Sequence, residues 1–291
     1  MDWRSSYRRR SYRRAHMNRH PRRRWGARRA PGAETVDTFA RVGFAARGVV
    51  YIVIGLLAVM VGLGFGEPAL DRGGALAAIA GEPFGILLLW LLVIGFSGLA
   101  LWRAVQAAAS PQEAGHRFLD ALRAVIYAVA AWSTYEFATV GRAPASSDSS
   151  AHDVTARLLG TSGGRVLLIA LALVVIGLGL AMVARAASRR FAERLRTGWM
   201  TRATREAVLR LGQIGHAARG VIVTAAGIFA LVAALTDNPA RAKGLDATLR
   251  SFAQTSFGPL VLVVVAVGLV AFGLYSIAEA RWRRTLGGIP R

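Results

Sequence analysis

Three arginines recur in matching phrases along a chain of 291 residues. Arg47 lies in "VGFAARGVVYIVIG" (42–55), Arg219 in "IGHAARGVIVTAAG" (214–227) and Arg123 in the shorter echo "RAVIY" (123–127). Each stands where an uncharged apolar run begins. A guanidinium carries five N–H donors in a planar fork, which suits phosphate and carboxylate. Tyr51 and Tyr127 follow their arginines by four residues, one helical turn along the same face. The chemistry this suggests is an anion or lipid-headgroup site built from Arg47, Arg123, Arg219, Tyr51 and Tyr127. Each group would stand at the start of a helix, where unpaired N–H groups also favour a negative ligand. The helix dipole alone disfavours arginine near an N-terminus, so three in register ask for a compensating negative group. The other reading is that each arginine snorkels to a membrane interface and sets topology.

The remaining polar candidates are thinner. Glu136 interrupts an apolar run, and carboxylates inside membrane spans relay protons. Its neighbours Thr134 and Tyr135 and the nearby Arg142 fit an interfacial position as well. Asp120 precedes Arg123 by three residues and can pair with it along a helix, and Glu279 and Arg283 are spaced as a helical surface pair, usually worth about 0.2–0.5 kcal/mol. His16, His20 and His152 fall outside the apolar runs, and His116 and His216 do not occupy equivalent positions, so no haem pair or metal spacing emerges. The chain has no cysteine, which excludes disulfides, thiolate metal sites and thiol catalysis. With no nucleophile–base set, the expectation is a non-enzymatic protein without cofactor, metal site or catalytic residue.

The elements that position these groups come from hydropathy. Hydrophobic residues make up 54% of the chain, and uncharged blocks occur at Gly48–Gly66, Pro83–Trp102, Val166–Ala184, Gly220–Thr236 and Phe257–Ala278. A sixth, Ala124–Gly141, is broken only by Glu136. About 20 apolar residues suffice for a helix to cross the bilayer, and continuous rather than alternating blocks favour helices over barrel strands. Six spans are therefore expected. Arginine is concentrated in the first 41 residues (thirteen), between Arg185 and Arg210 (eight) and in the C-terminal tail. The intervening loops are near neutral or acidic. That alternation predicts both termini on the cytoplasmic side.

The leader is arginine-rich and of low complexity, and no removable signal is read in it. It is expected to be a disordered tail over residues 1–38 that binds anionic lipid at the cytoplasmic face. Nucleic acid is the less favoured partner for its net charge of +21, and Met17 is an alternative start. "SPQE" (110–113) reads as a helix start. Between residues 188 and 210, Phe191, Leu195 and Trp199 recur among arginines, which predicts a basic amphipathic stretch on the inner leaflet or against a membrane-protein partner.

Internal repetition organises the rest. "LVIGFSGLALWRA" from Leu92 matches "LVVIGLGLAMVARA" from Leu173, and "AVGLVAFGLYSI" from Ala266 follows the same outline. "DVTAR" at Asp153 is echoed by "DATLR" at Asp246. Each unit is a two-helix hairpin, and because every copy enters from the same side, the repeats must be parallel. The expected domains are repeat 1 over 39–109, repeat 2 over 110–187, the linker over 188–210, repeat 3 over 211–284 and a tail over 285–291. The expected fold is all-α: six transmembrane helices arranged as three hairpins in a pseudo-threefold bundle. Gly43, Arg47, Tyr51, Gly55, Ala58 and Gly62 share one helix face, where small residues let helices pack closely. In the second unit Leu119 and Ala131 replace the glycines, a sign of divergence.

The repeated "ARGVVY" phrase, the "PFG" before the second helix and "GLYSIAEARWRR" (273–284) resemble a bacterial multi-pass membrane family known as domain of unknown function 1206. The resemblance covers roughly Phe39 to Arg284 and implies three two-helix repeats in a bacterial inner membrane, with no activity attached. The functional expectation is a protein that organises the membrane or binds anionic lipid or another membrane protein. The alternative is a transporter or channel for a small anionic solute. Oligomeric state is left open.

Overall fold

A computed structural model describes residues 33–109, 114–195, 197–254 and 257–283. The leader, the "SPQE" helix start and the C-terminal tail lie outside the described residues. Long uncharged runs fold as helices because a helix satisfies every backbone N–H and C=O within the segment. The described residues form nine α-helices and no named strand. They are α1 (Ala33–Gly62), α2 (Arg72–Ala80), α3 (Gly85–Ala109), α4 (Ala114–Val140), α5 (Ser147–Leu159), α6 (Gly164–Ala187), α7 (Arg202–Leu235), α8 (Leu245–Ala253) and α9 (Gly258–Trp282).

Five of these, α1, α3, α6, α7 and α9, are long and apolar enough to cross a membrane. That makes this a multi-pass membrane protein by length and composition. The sixth long helix, α4, has the length at 27 residues but not the apolar density. Arg123, Tyr127, Trp132, Ser133, Thr134, Tyr135 and Glu136 dilute it. The exposed aliphatic side chains along the long helices are what a lipid-facing surface requires.

The long helices pack as neighbours in the order α4, α3, α1, α9, α7, α6. Glycine sets several of these contacts. A Cβ on Gly48 would meet the Gly273 carbonyl oxygen at 2.7 Å, and one on Gly273 would meet the Gly48 carbonyl at 2.6 Å. Backbones that close leave no room for any other residue, so α1 and α9 associate through van der Waals contact. Gly179 and Gly220 form the same reciprocal contact between α6 and α7. The two ends of the row, α4 and α6, are not packed along one another.

The short helices α2, α5 and α8 lie in the loops that follow α1, α4 and α7, and they close a circle of hydrogen bonds. Asp71 caps α2 and accepts from the Ser147 amide at 3.0 Å. Asp148 accepts from the Ala247 amide at 3.0 Å, and Asp246 accepts from the Leu70 amide at 2.8 Å. Each loop thus holds the next. In the second loop Asp148 makes this contact, while Asp153 of the echoed motif faces outward beside His152. Arg72, in the first loop, donates to Ser133 Oγ at 2.7 Å, and burial pushes its guanidinium below the ordinary value, with Asp71 opposing.

The connection between α6 and α7 differs from its expected form. It makes two 3-10 turns, Arg190–Arg194 and Thr197–Trp199. Phe191 and Leu195 are buried against Val208, Leu209, Tyr275 and Ala278, and Leu195 pairs with Arg283 through the backbone. Two of the three apolar residues therefore dock onto α7 and α9, leaving Trp199 exposed. Packing inside the protein has outcompeted a membrane-surface helix.

Candidate anion-binding site

The site is built from the arginine phrases, but not at helix starts. Arg47 lies fourteen residues into α1, Arg123 nine into α4 and Arg219 seventeen into α7. The dipole effect fades within about one turn of the end, so it is not what these arginines oppose. They lie fifteen, seventeen and sixteen residues before the ends of their helices, or about 22–26 Å at 1.5 Å per residue. All three therefore stand at a similar distance from the loop-side ends of their helices.

Arg47 is buried and fully engaged. Its Nε donates to Ser276 Oγ at 2.7 Å, its Nη1 to the Tyr127 hydroxyl at 3.5 Å and its Nη2 to Glu279 Oε2. Glu279 is buried too and accepts from Arg283 through its other oxygen. The pair expected on the helix surface is therefore an internal bridge between two guanidiniums. Phe44 and Phe272 flank Arg47, with ring centres 5.0 and 5.2 Å from its guanidinium carbon.

Arg123 is solved differently. It donates to Asp120 at 2.9 Å, and Asp120 also accepts from Arg103 of α3 at 2.7 Å. Asp120 and Arg103 are buried, while 40% of the Arg123 side chain is exposed. Arg103 lies over Trp102 and has Arg123 and Arg283 as like-charged neighbours. Its Nε and the Trp102 Nε1 are buried and have no hydrogen-bond partner among the described residues.

Arg219 has the least support. Its guanidinium sits over Tyr51 and Phe272 at 5.5 and 5.1 Å, and among the described residues no carboxylate or hydrogen-bond acceptor meets it. Repeat geometry supplies the reason. Gly48 packs on Gly273 and Ile277 of α9 as Gly220 packs on Gly179 and Val183 of α6, an alignment that puts Met182 where α9 has Ser276 and Arg185 where it has Glu279. Arg47 faces Ser276 and Glu279, whereas the corresponding positions on the helix packed against α7 are Met182 and Arg185. The acid is missing from that interface.

The structure thus brings Arg47, Tyr51, Tyr127 and Arg219 together on the inner side of the row of helices. Arg123 joins them through Asp120 and Arg103. Arg103, Glu279 and Arg283 are members that reading the first helices alone does not reveal. The signal for the two arginines is the dipeptide Trp-Arg, which lies two turns before the end of the second helix in unit 1 (102–103) and closes it in unit 3 (282–283). Arg283 contacts Phe44 and Trp102 at 4.5 and 5.0 Å. Four guanidiniums (Arg47, Arg103, Arg123, Arg283) share two carboxylates, Asp120 and Glu279, and Arg219 sits beside them over the Phe272 ring.

Of two further polar residues, Glu136 lies apart from the cluster and His216 borders it. Glu136 is four residues from the end of α4, partly exposed, with Arg142 at 3.7 Å; such a pair contributes about 0–1 kcal/mol. His216 is packed among Phe191, Phe272 and Tyr275, with its Nδ1 at 2.8 Å from the Gly212 carbonyl.

A family model described as Domain of Unknown Function (DUF1206) matches residues 42–110, 121–189 and 214–283. A relative printed as "Uncharacterized protein YxxB", from Bacillus subtilis (strain 168), is 29% identical over 257 residues, which is 84% of this chain and 90% of the relative. No solved structure matches the chain.

Proposed function

We propose that this chain, which belongs to the DUF1206 family, is a non-enzymatic membrane protein that binds anionic phospholipid through its partly buried arginine cluster. The three matched repeats become six spans when α4 is counted with the five more apolar helices. The circular loop contacts, and the glycine contacts that recur in repeats 1 and 3, support a pseudo-threefold arrangement. The arginine distribution favours both termini on the cytoplasmic face of a bacterial inner membrane, which puts the cluster on that side.

The observation that carries the reading is that four guanidiniums share two carboxylates while a fifth, the half-buried Arg219, meets only aromatic rings. A cation–π contact returns only about 0.5–2 kcal/mol. A phosphate-bearing headgroup supplies the missing negative charge through charge-assisted hydrogen bonds. The test is to purify the protein in mild detergent and quantify retained phosphatidylglycerol and phosphatidylethanolamine. Wild type is expected to enrich the anionic lipid, and Arg123→Gln/Arg219→Gln to lose at least tenfold of it while remaining folded. Equal retention of the two lipids overturns the reading. Flux of a small anion in proteoliposomes that disappears in the double variant replaces it with transport.

A further inference from the structure

The three repeats are not closed in the same way. In repeat 1, a Cβ on Gly95 of α3 would meet Ala46 Cβ at 2.6 Å, and one on Gly43 of α1 would meet the Gly95 carbonyl at 2.5 Å. In repeat 3, Gly268 of α9 lies against Ala218 of α7, and Gly215 lies against Phe272. These are the contacts that hold the first helix of each hairpin to the second. In repeat 2 the aligned residues are Leu122 of α4 and Val174 of α6, which is exposed, with Gly177 one turn further along α6. A Cβ on Gly177 meets nothing within 4 Å, and Leu122 is 47% exposed.

The sequence explains the difference. The alanine before each outer arginine, Ala46 or Ala218, becomes Leu122, and Gly43 or Gly215 becomes Leu119. Two leucines cannot approach the glycine backbone as alanine and glycine do. Apolar residues along the same stretches stay exposed as well: Phe118, Val125 and Val129 on α4, Leu173 and Val174 on α6. Short helices α2, α5 and α8 nonetheless join all three loops in a circle. The bundle is thus tied at its loop end and unpaired along one side below it.

That side leads to the cluster. α4 contributes Tyr127, in contact with Arg47. α7, packed on α6, contributes Arg219, whose guanidinium has no acceptor among the described residues. An apolar seam ending at unneutralised guanidiniums matches an amphiphile with an anionic head and a hydrocarbon tail, both in charge and in the order of its parts. We infer that the seam between α4 and α6 is a lateral entrance through which one anionic phospholipid inserts an acyl chain along Leu122 and Gly177, with its phosphate held by Arg219. This rests on the lipid-binding reading and adds where the tail lies and how the ligand enters.

Gly177→Trp and, on the opposite wall, Leu122→Trp fill the seam without touching an arginine. Each variant is purified, its folding checked by thermal melting, and its bound phosphatidylglycerol counted by native mass spectrometry after incubation with vesicles of phosphatidylglycerol and phosphatidylethanolamine. The inference expects both variants to melt near wild type and to bind phosphatidylglycerol at least fivefold less. A parallel titration with sn-glycerol 1-phosphate, which has a head and no tail, is expected to be unaffected by either tryptophan. Wild-type lipid binding in a folded tryptophan variant overturns the lateral entrance and leaves the headgroup site standing. Absence of phosphatidylglycerol preference in wild type overturns both. A dimer that the tryptophans dissociate, with lipid count unchanged, assigns the seam to a second copy and overturns the lipid entrance.

Discussion

Glu279 accepts from both Arg47 and Arg283 inside the fold, so its removal strands two buried guanidiniums. Glu279→Ala is expected to cost about 3–5 kcal/mol, as for other broken buried pairs, lowering the thermal melting midpoint by on the order of 10 °C. Removing the partner as well should recover part of the loss, because an apolar pair of similar volume avoids the desolvation cost. Arg47→Met/Glu279→Met is therefore expected to melt above Glu279→Ala; a double variant less stable than the single contradicts a buried bridge. Arg219→Gln, with only ring contacts to lose, should shift the midpoint by no more than a few degrees. The arginine phrases were legible because they repeat. The acid was not: its i,i+4 spacing to Arg283 looks the same on an exposed helix face as on a buried one, and only the close approach at Gly48 and Gly273 puts that face against α1.

At the scale of helices, glycine decides which pairs close. Gly48→Leu drives a branched side chain into the Gly273 backbone and is expected to destabilise by about 1–3 kcal/mol or more, measured as a lower melting midpoint. Gly177→Leu, in a helix of the same apolar character, meets open space and should melt within a few degrees of wild type. Equal damage from both substitutions contradicts an unpaired α4–α6 side. The helices themselves could be read from hydropathy, and the small-residue stripes from their spacing. The α6–α7 connection could not, because Phe191 and Leu195 have the periodicity of a surface helix until α7 and α9 offer them a drier contact.

At the scale of the whole molecule, repetition makes symmetry legible and divergence breaks it. Leu119 and Ala131 already mark the second unit as different, yet nothing in the sequence says that this difference opens a side rather than bending a helix. The loop circle was likewise hidden, since Asp71, Asp148 and Asp246 act through backbone amides of neighbouring units. Replacing Asp246 with alanine leaves the Leu70 amide without its acceptor, at a cost of about 1–3 kcal/mol, and melting in detergent should show that loss. The absence of cysteine also makes topology measurable in a clean background. Ser149→Cys and Gly198→Cys are expected to react with an impermeant maleimide from opposite sides of the membrane, and labelling from one side contradicts the proposed orientation.

The central claim joins the arginine cluster to the unpaired side. A cryo-electron microscopy map of the protein in nanodiscs made from bacterial lipid tests both together. The account predicts phosphate density within hydrogen-bond distance of Arg219 and chain density running between Leu122 and Gly177. A map in which α4 and α6 pack through Gly177, with Arg219 bonded to protein oxygens, would contradict it.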